Sequence, residues 1–263
     1  MEYQEIEFSV QDGYALITLN RPDKMNALNG QMRAEITHAV RDVSQNHESL
    51  GARALVITGA GKGFCAGQDL GGQGSVASID LERVLRDEYT PLLRAIVDCE
   101  VPTIAAVHGP AAGAGANLAL ICDVVIASES GYFLQAFTRI GLMPDAGGTF
   151  MMPRLAGSAK AMGAALFAEK ISAKQADEWG LIWETVADDA FEAHWKARAA
   201  HLGAGPSGAY RALKQAFRAT WDNSLDEQLA LEAKLQGKCG KSRDFQEGSV
   251  AFLEKRPAVF EGR

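Results

Sequence analysis

The 263-residue chain has little of what marks several function classes. Its 4 cysteines, at 65, 99, 122 and 239, form no CxxC pair, and its 5 histidines are scattered. That spacing spells no metal site, and no metal is expected. The cysteines read as small buried hydrophobes in a reducing, cytoplasmic setting. Positive charge is in deficit, with a formal net charge of −7. Nucleic acid requires a basic face, so it is not an expected partner, and an anionic ligand would need a local basic patch. No apolar run suits a membrane: the most apolar stretch, 101–127, is interrupted by Pro102, His108, Pro110, Asn117 and Asp123 and reads as buried core. MEYQEIEF at the N-terminus has no apolar h-region, so no signal peptide is expected. The 27 glycines build neither GxxxxGK[ST] nor a GxGxxG after a strand, which leaves Walker and Rossmann readings unsupported.

What the chain does have is apolar residues at 47%, enough for a sizeable core and too many for a disordered chain. Ile6 to Val10 and Tyr14 to Leu19 read as strands joined at Asp12-Gly13, a hairpin signal. Asn29 can cap a helix whose apolar face is Met32, Ile36, Ala39, Val40 and Val43. Ala54 to Thr58 is a short buried strand, and a glycine-rich stretch, 59–74, follows. A second helix carries Leu81, Val84, Leu85, Leu92 and Ile96. Thr103 to Val107 and Val124 to Ala127 are strand-like, and Gly113 and Gly115 open a short helix between them that runs to Leu120. Ser172 with Gln175 and Ser224 with Glu227 are capping boxes, and Gly180 is a helix stop after Trp179. Beyond Ala187 the pattern is almost wholly helical. The expected organisation is an α/β core over 1–187 and a helical region over 188–263.

Two local patterns point to chemistry and then fail. Gly63-Phe-Cys65-Ala-Gly67 imitates a nucleophile elbow, but Gly59 to Lys62 separates it from its strand and Gln68-Asp-Leu-Gly-Gly72 is a poor helix start. His108, at the end of an apolar strand, reads as a satisfied core residue rather than a base.

Four segments belong together: NRPDKMNALN (20–29), GFCAGQDL (63–70), VHGPAAGAGANL (107–118) and IGLMPDAGGTFMMPRLAG (140–157). With AFLEKRPAVF (251–260), they make the chain resemble the crotonase, or enoyl-CoA hydratase/isomerase, superfamily along nearly its whole length. AKQADEWGLIW (173–183) beside PDAGGT (144–149) is similar to the branch that isomerises ring-1,2-epoxyphenylacetyl-CoA in phenylacetate catabolism. The resemblance implies a β/α spiral core, a C-terminal helical trimerisation region, and a homotrimer or a dimer of trimers. It implies an acyl-CoA substrate, with coenzyme A part of that substrate and no separate cofactor.

The resemblance also implies an oxyanion hole made by the N–H groups of Gln68 and Ala114, the latter at a helix start whose dipole adds positive potential. Small residues at both places fit a close approach of main chain to substrate. The hydratase branch places two glutamates where this chain has Asn117 and Phe137, so simple hydration is disfavoured. Enoyl isomerases that shift a 3,4 double bond carry a carboxylate at the second of these positions, which counts against that branch too. Asn117 and Phe137 remain as substrate contacts, with local backbone an equal use for Asn117. Asp145 matches the aspartate of some family isomerases; capping of a following helix is its competing role. By resemblance, CoA lies along Lys24, Met25, Ala27, Ala66, Asp69 and Leu70, and Lys255 reaches CoA on a neighbouring subunit. The alternatives are an isomerase or hydratase of linear enoyl-CoA, and a non-catalytic acyl-CoA or RNA binder on the same fold. The acidic charge opposes RNA.

Overall fold

A computed structural model describes residues 2–71 and 80–262. Asp12 and Gly13 both take positive φ, +48° and +80°, the geometry of a two-residue hairpin turn. They join β1 (Ile6–Gln11) to β2 (Tyr14–Leu19). From β2 onward the pairing is parallel, through β3 (Ala54–Gly59), β4 (Thr103–Val107), β6 (Val124–Ser128) and β9 (Glu184–Val186). The six-stranded order is β1-β2-β3-β4-β6-β9. β3 and β4 are buried along their whole length, as expected of parallel strands covered on both faces.

One face is covered by α1 (Gly30–Leu50), capped by Asn29, whose side chain accepts from Met32 N. The expected Met32, Ile36, Ala39, Val40 and Val43 are its buried stripe. Beside it runs a helix from Leu81 to Val97, made of α2 (Leu81–Val84), a π turn (Leu85–Tyr89) and α3 (Thr90–Val97). α7 (Phe191–Gly203) covers the other face with Phe191, Trp195 and Ala199. The expected boundary at 187–188 falls just before this helix. Nearly all of the glycine-rich stretch is a loop tied down by isolated bridges; its end, residues 72–74, lies outside the described residues.

Three short strands form a second sheet, β5 (Pro110–Ala112), β7 (Tyr132–Leu134) and β8 (Lys170–Ser172). α4 (Ala114–Leu120) leaves from β5. α5 (Gly148–Phe167) is bent at Gly157, with φ 77° and ψ 157°. α6 (Ala173–Glu178) begins at the Ser172–Gln175 capping box, and Gly180 follows it at φ +72°. α8 (Ser207–Ala219), α9 (Leu225–Cys239, with the Ser224–Glu227 box) and α10 (Arg243–Glu254) complete an α/β core followed by C-terminal helices. Among the described residues no helix is long and apolar enough to cross a membrane.

Candidate active site

The loop after β3 is stitched to two neighbours. On one side, Leu28 N donates to Gly67 O at 2.7 Å and Asp69 N donates to Leu28 O at 3.1 Å. This is a parallel bridge centred on Gln68, so Gln68's own N–H points away from Leu28. On the other side, Cys65 N donates to Pro110 O and Ala112 N to Cys65 O, a bridge between Cys65 and Ala111. Two glycines permit this closeness. A Cβ on Gly67 (φ +95°) would lie 2.7 Å from Ala112 O and 3.4 Å from Ala114 N. A Cβ on Gly115 would lie 2.4 Å from Cys65 O. The Gln68 and Ala114 segments are thereby held side by side. Gly113, at φ 53° and ψ −127°, turns the chain from β5 into α4, whose first residue is the buried Ala114. Among the described residues neither the Gln68 N–H nor the Ala114 N–H has a backbone acceptor. Two unpaired main-chain donors in adjoining segments are what a developing oxyanion requires.

Asp145 follows Pro144 in the turn before α5. Its carbonyl accepts from Gly148 N at 2.8 Å. The helix N-cap is Gly147, and no side chain caps α5, so the carboxylate of Asp145 does not spend itself on that role. Burial pushes the Asp145 carboxyl up to about 6. Part of the apolar wall is visible at Gly147, where a Cβ would meet Ile121 Cδ1 at 3.6 Å and Leu93 Cδ1 at 3.9 Å. A carboxyl poised near neutral pH suits proton transfer.

Asn117, buried on α4, donates from Nδ2 to Asp145 O at 2.8 Å and accepts at Oδ1 from Gln135 Nε2 at 2.9 Å. It therefore ties the helix of one donor to the turn that carries the acid. Phe137, in a turn over Ala136–Ile140, is buried, and its ring faces Gly113 at 3.8 Å from the position of a Cβ there. The Cys65 thiol is buried, bonds Asn26 O at 3.1 Å, and is pushed by desolvation up to about 12, so it is no nucleophile. His108 is half-buried, with Nε2 at 3.2 Å from Gly61 O.

The expected CoA residues fall on two adjoining segments. Ala66 N donates to Met25 O at 2.9 Å, which brings Met25, Ala27 and Ala66 together; Lys24, Ala66 and Leu70 are exposed beside them. Asp69 is held by Arg21 at 2.8 Å. Burial opposes its ionisation, but Arg21 and the Gly71 N–H keep its carboxyl below the usual range. Lys255 is exposed at the end of α10, and no hydrogen bond or ion pair among the described residues joins it to these segments within one chain.

Two residues of the site lay outside the expectation from sequence. Arg33, on α1, donates to Gln68 Oε1 at 2.8 Å, and Tyr89 donates to the same oxygen at 2.7 Å. Periodicity alone hides Tyr89, because the π turn shifts the buried position one residue along the helix. The signal for Arg33 was a charged residue next to Met32 on an otherwise apolar stripe. Among the described residues no cluster of three His, Cys, Asp or Glu could hold a metal ion.

Comparison with known proteins gives a consistent set. The enoyl-CoA hydratase/isomerase family model matches residues 9–263. A Rhodobacter capsulatus protein named "probable enoyl-CoA hydratase" is 59% identical, over 100% of both chains. The 1,2-epoxyphenylacetyl-CoA isomerase of Escherichia coli is 42% identical, over 97% of each. The crystal structure of an enoyl-CoA hydratase from Bacillus anthracis superposes with a TM-score of 0.90 at 29% identity, covering 99% of this chain and 100% of that one.

Proposed function

The chain belongs to the enoyl-CoA hydratase/isomerase, or crotonase, family, and from that premise we propose that it isomerises a CoA thioester, with 1,2-epoxyphenylacetyl-CoA to oxepin-CoA as the first-choice reaction. The observation that carries this reading is the acid inventory of the site. One half-buried carboxyl, Asp145, sits on the turn that Asn117 ties to the helix of one of the two main-chain donors, while Asn117 is committed to Asp145 O and Phe137 is apolar. Placing and deprotonating a water calls for more than that; moving one proton between two carbons does not.

In this mechanism the thioester oxygen sits on the N–H groups of Gln68 and Ala114. Each donor is worth roughly 3–4 kcal/mol once charge develops on that oxygen. Ionised Asp145 takes a proton from the carbon next to the carbonyl, giving an enolate. As the bond between the two epoxide carbons breaks, Asp145 returns the proton to a ring carbon. Substrate and product are isomers, so atoms balance without a co-reactant, and coenzyme A enters only as part of the substrate. Its adenine and pantetheine lie along Lys24, Met25, Ala27, Ala66, Asp69 and Leu70. We also propose that three chains, or two sets of three, associate through the C-terminal helices and that Lys255 reaches CoA across that contact. Phe137 and the Asn117 side of α4 border the acyl group.

A second reading is hydration or double-bond shift of a linear enoyl-CoA; the name of the 59% identical relative, a probable enoyl-CoA hydratase, supports its hydration arm. One assay separates them: the purified protein with ring-epoxide, 3-enoyl and 2-enoyl CoA thioesters. The expected result is turnover of the ring epoxide and very slow hydration of crotonyl-CoA. Crotonyl-CoA turned over at about 1–10³ s⁻¹ would replace the first reading by the second. Asp145→Asn should keep thioester affinity within a few fold and cut turnover by roughly 10²–10⁴. With ionised Asp145 as the base, wild-type kcat/KM should rise with pH through about 6 and then level. Full activity in Asp145→Asn would remove that residue from the mechanism.

A further inference from the structure

A main-chain N–H has no side chain of its own to aim it, so the donor at Gln68 depends on what grips residues 67–69. We propose that Arg33 is the positioning residue for that donor. The proposal rests on the reading above, in which the Gln68 N–H receives the substrate oxygen.

Arg33 is 4% exposed, on the face of α1 that meets the loop. Its Nη1 donates to Leu28 O at 2.7 Å and to Gln68 Oε1 at 2.8 Å. Leu28 O also accepts from Asp69 N, so one nitrogen grips both sides of the Leu28–Gln68 bridge. The remaining donors, Nε and Nη2, go to Glu88 Oε2. The guanidinium lies 4.8 Å from the centre of the Tyr89 ring, and the Tyr89 hydroxyl completes the hold on Gln68 Oε1. The Gln68 side chain is thus fastened by α1 and by the π turn at once, on the Leu28 side of the bridge and opposite its own N–H. Burial raises the Tyr89 phenol above its usual range and Arg33 opposes that, so its hydroxyl stays a donor.

A buried arginine is a poor way to gain stability, because desolvation offsets most of its attraction to Glu88. Its geometry explains its place better. A planar fork of five donors can reach Leu28 O, Gln68 Oε1 and Glu88 together, whereas a lysine ammonium cannot span them. A second arginine repeats the device one residue along: Arg21 Nη1 donates to Ala27 O and to Asp69 Oδ2. The two therefore bracket the donor-bearing segment.

The test uses Arg33→Met, Gln68→Ala, the double variant and Gln68→Glu, in the full chain. A CoA thioester carrying ¹³C at its carbonyl is bound to each, and the carbonyl band is read by infrared difference spectroscopy beside kcat, KM and a thermal melt. Wild type should shift the band to lower frequency. Arg33→Met and Gln68→Ala should each move it back toward the free value and lower kcat by about tenfold, with KM within about twofold. The double variant should be no worse than the weaker single, because both break one connection. Gln68→Glu, which keeps an acceptor for both donors, should recover turnover relative to Gln68→Ala. An unshifted band in wild type would remove the oxyanion reading itself. A shifted band in wild type with equal shifts and equal kcat in the folded variants would overturn the role of Arg33 alone, as would additive losses in the double variant. If Arg33→Met does not fold, Gln68→Ala decides by the same measurements.

Discussion

A carboxyl in an apolar wall opposes folding whenever it is ionised. Asp145 is such a group, raised by burial to about 6, above its value in the unfolded chain. A raised acid adds no cost below the unfolded value near pH 4, where both states hold the proton. The cost grows between pH 4 and 6 and is complete above it. Asp145→Asn should therefore be more stable than wild type at pH 8, by about 1–2 kcal/mol after allowance for partial exposure, and equal to it near pH 4. Urea titrations at the two pH values check this; a variant less stable at pH 8 would mean the carboxylate holds the turn together. The gain in stability accompanies the loss of turnover, the usual trade at a functional group. Asn117 carries the complementary prediction. Asn117→Leu keeps the branched shape but drops the bonds to Asp145 O and Gln135, so turnover should fall about 10–100-fold with a stability loss of about 1–3 kcal/mol. A leucine variant with wild-type kcat would show that the turn is placed without it.

At the scale of elements, the site exists because the loop after β3 and the start of α4 approach within van der Waals contact, and Gly115 is the point of closest passage. Gly115→Ala puts a methyl 2.4 Å from Cys65 O and 2.7 Å from its sulfur, backbone and buried atoms that cannot swing aside. The expected cost is about 1–3 kcal/mol, with loss of turnover as the Cys65–Ala112 bond opens and the two donors separate. Kinetics on the folded variant read this; unchanged turnover would place the donors elsewhere. The long elements around this point were legible in the sequence. The Asp12-Gly13 hairpin signal showed β1 and β2, short apolar runs showed β3 and β4, and Asn29, Ser172 and Ser224 announced their helices. β5, β7, β8 and β9 were not, since three residues carry no period and their pairing is purely tertiary. A helix after Asp145 was implied by the capping alternative, but Pro153 and the bend at Gly157 hid the length of α5. The proposed donor positions and Asp145 came from the resemblance to the family, carried by GFCAGQDL, VHGPAAGAGANL and PDAGGT. Arg33 and Tyr89 did not, because their partners lie 35 and 21 residues away in sequence.

For the molecule as a whole, α8 is turned the opposite way from an ordinary surface helix. Its charged side faces inward. Lys214 bonds Asp123 at 2.7 Å and Val101 O at 2.8 Å, and Arg218 bonds Asp123 at 2.6 Å and also Val97 O. Asp123 in turn accepts from Thr103 N and Oγ1 at the start of β4. Asp123→Ala should cost about 1–3 kcal/mol and loosen α8 from the sheet, read as faster amide exchange in 207–219. The apolar side of α8, Leu213 and Phe217, faces outward at i, i+4 spacing, and Trp221, in the turn after it, with Leu225, Leu229, Phe245, Phe252 and Leu253 extend it over α9 and α10. Phe217, Phe252 and Leu253 are 68%, 83% and 79% exposed in the single chain, beside a groove of about 1360 Å³ between the three helices. A continuous apolar patch of that kind is costly to leave in water, so it argues for the proposed association. Light scattering should give three or six times the 28.1 kDa chain mass, and the melting temperature should rise with protein concentration. Phe252→Glu places a charge in the patch and should shift the mass toward one chain, with the sheet's secondary structure retained. A wild-type protein that stays at 28.1 kDa at micromolar concentration would overturn the association and, with it, any reach of Lys255 to a neighbour's CoA.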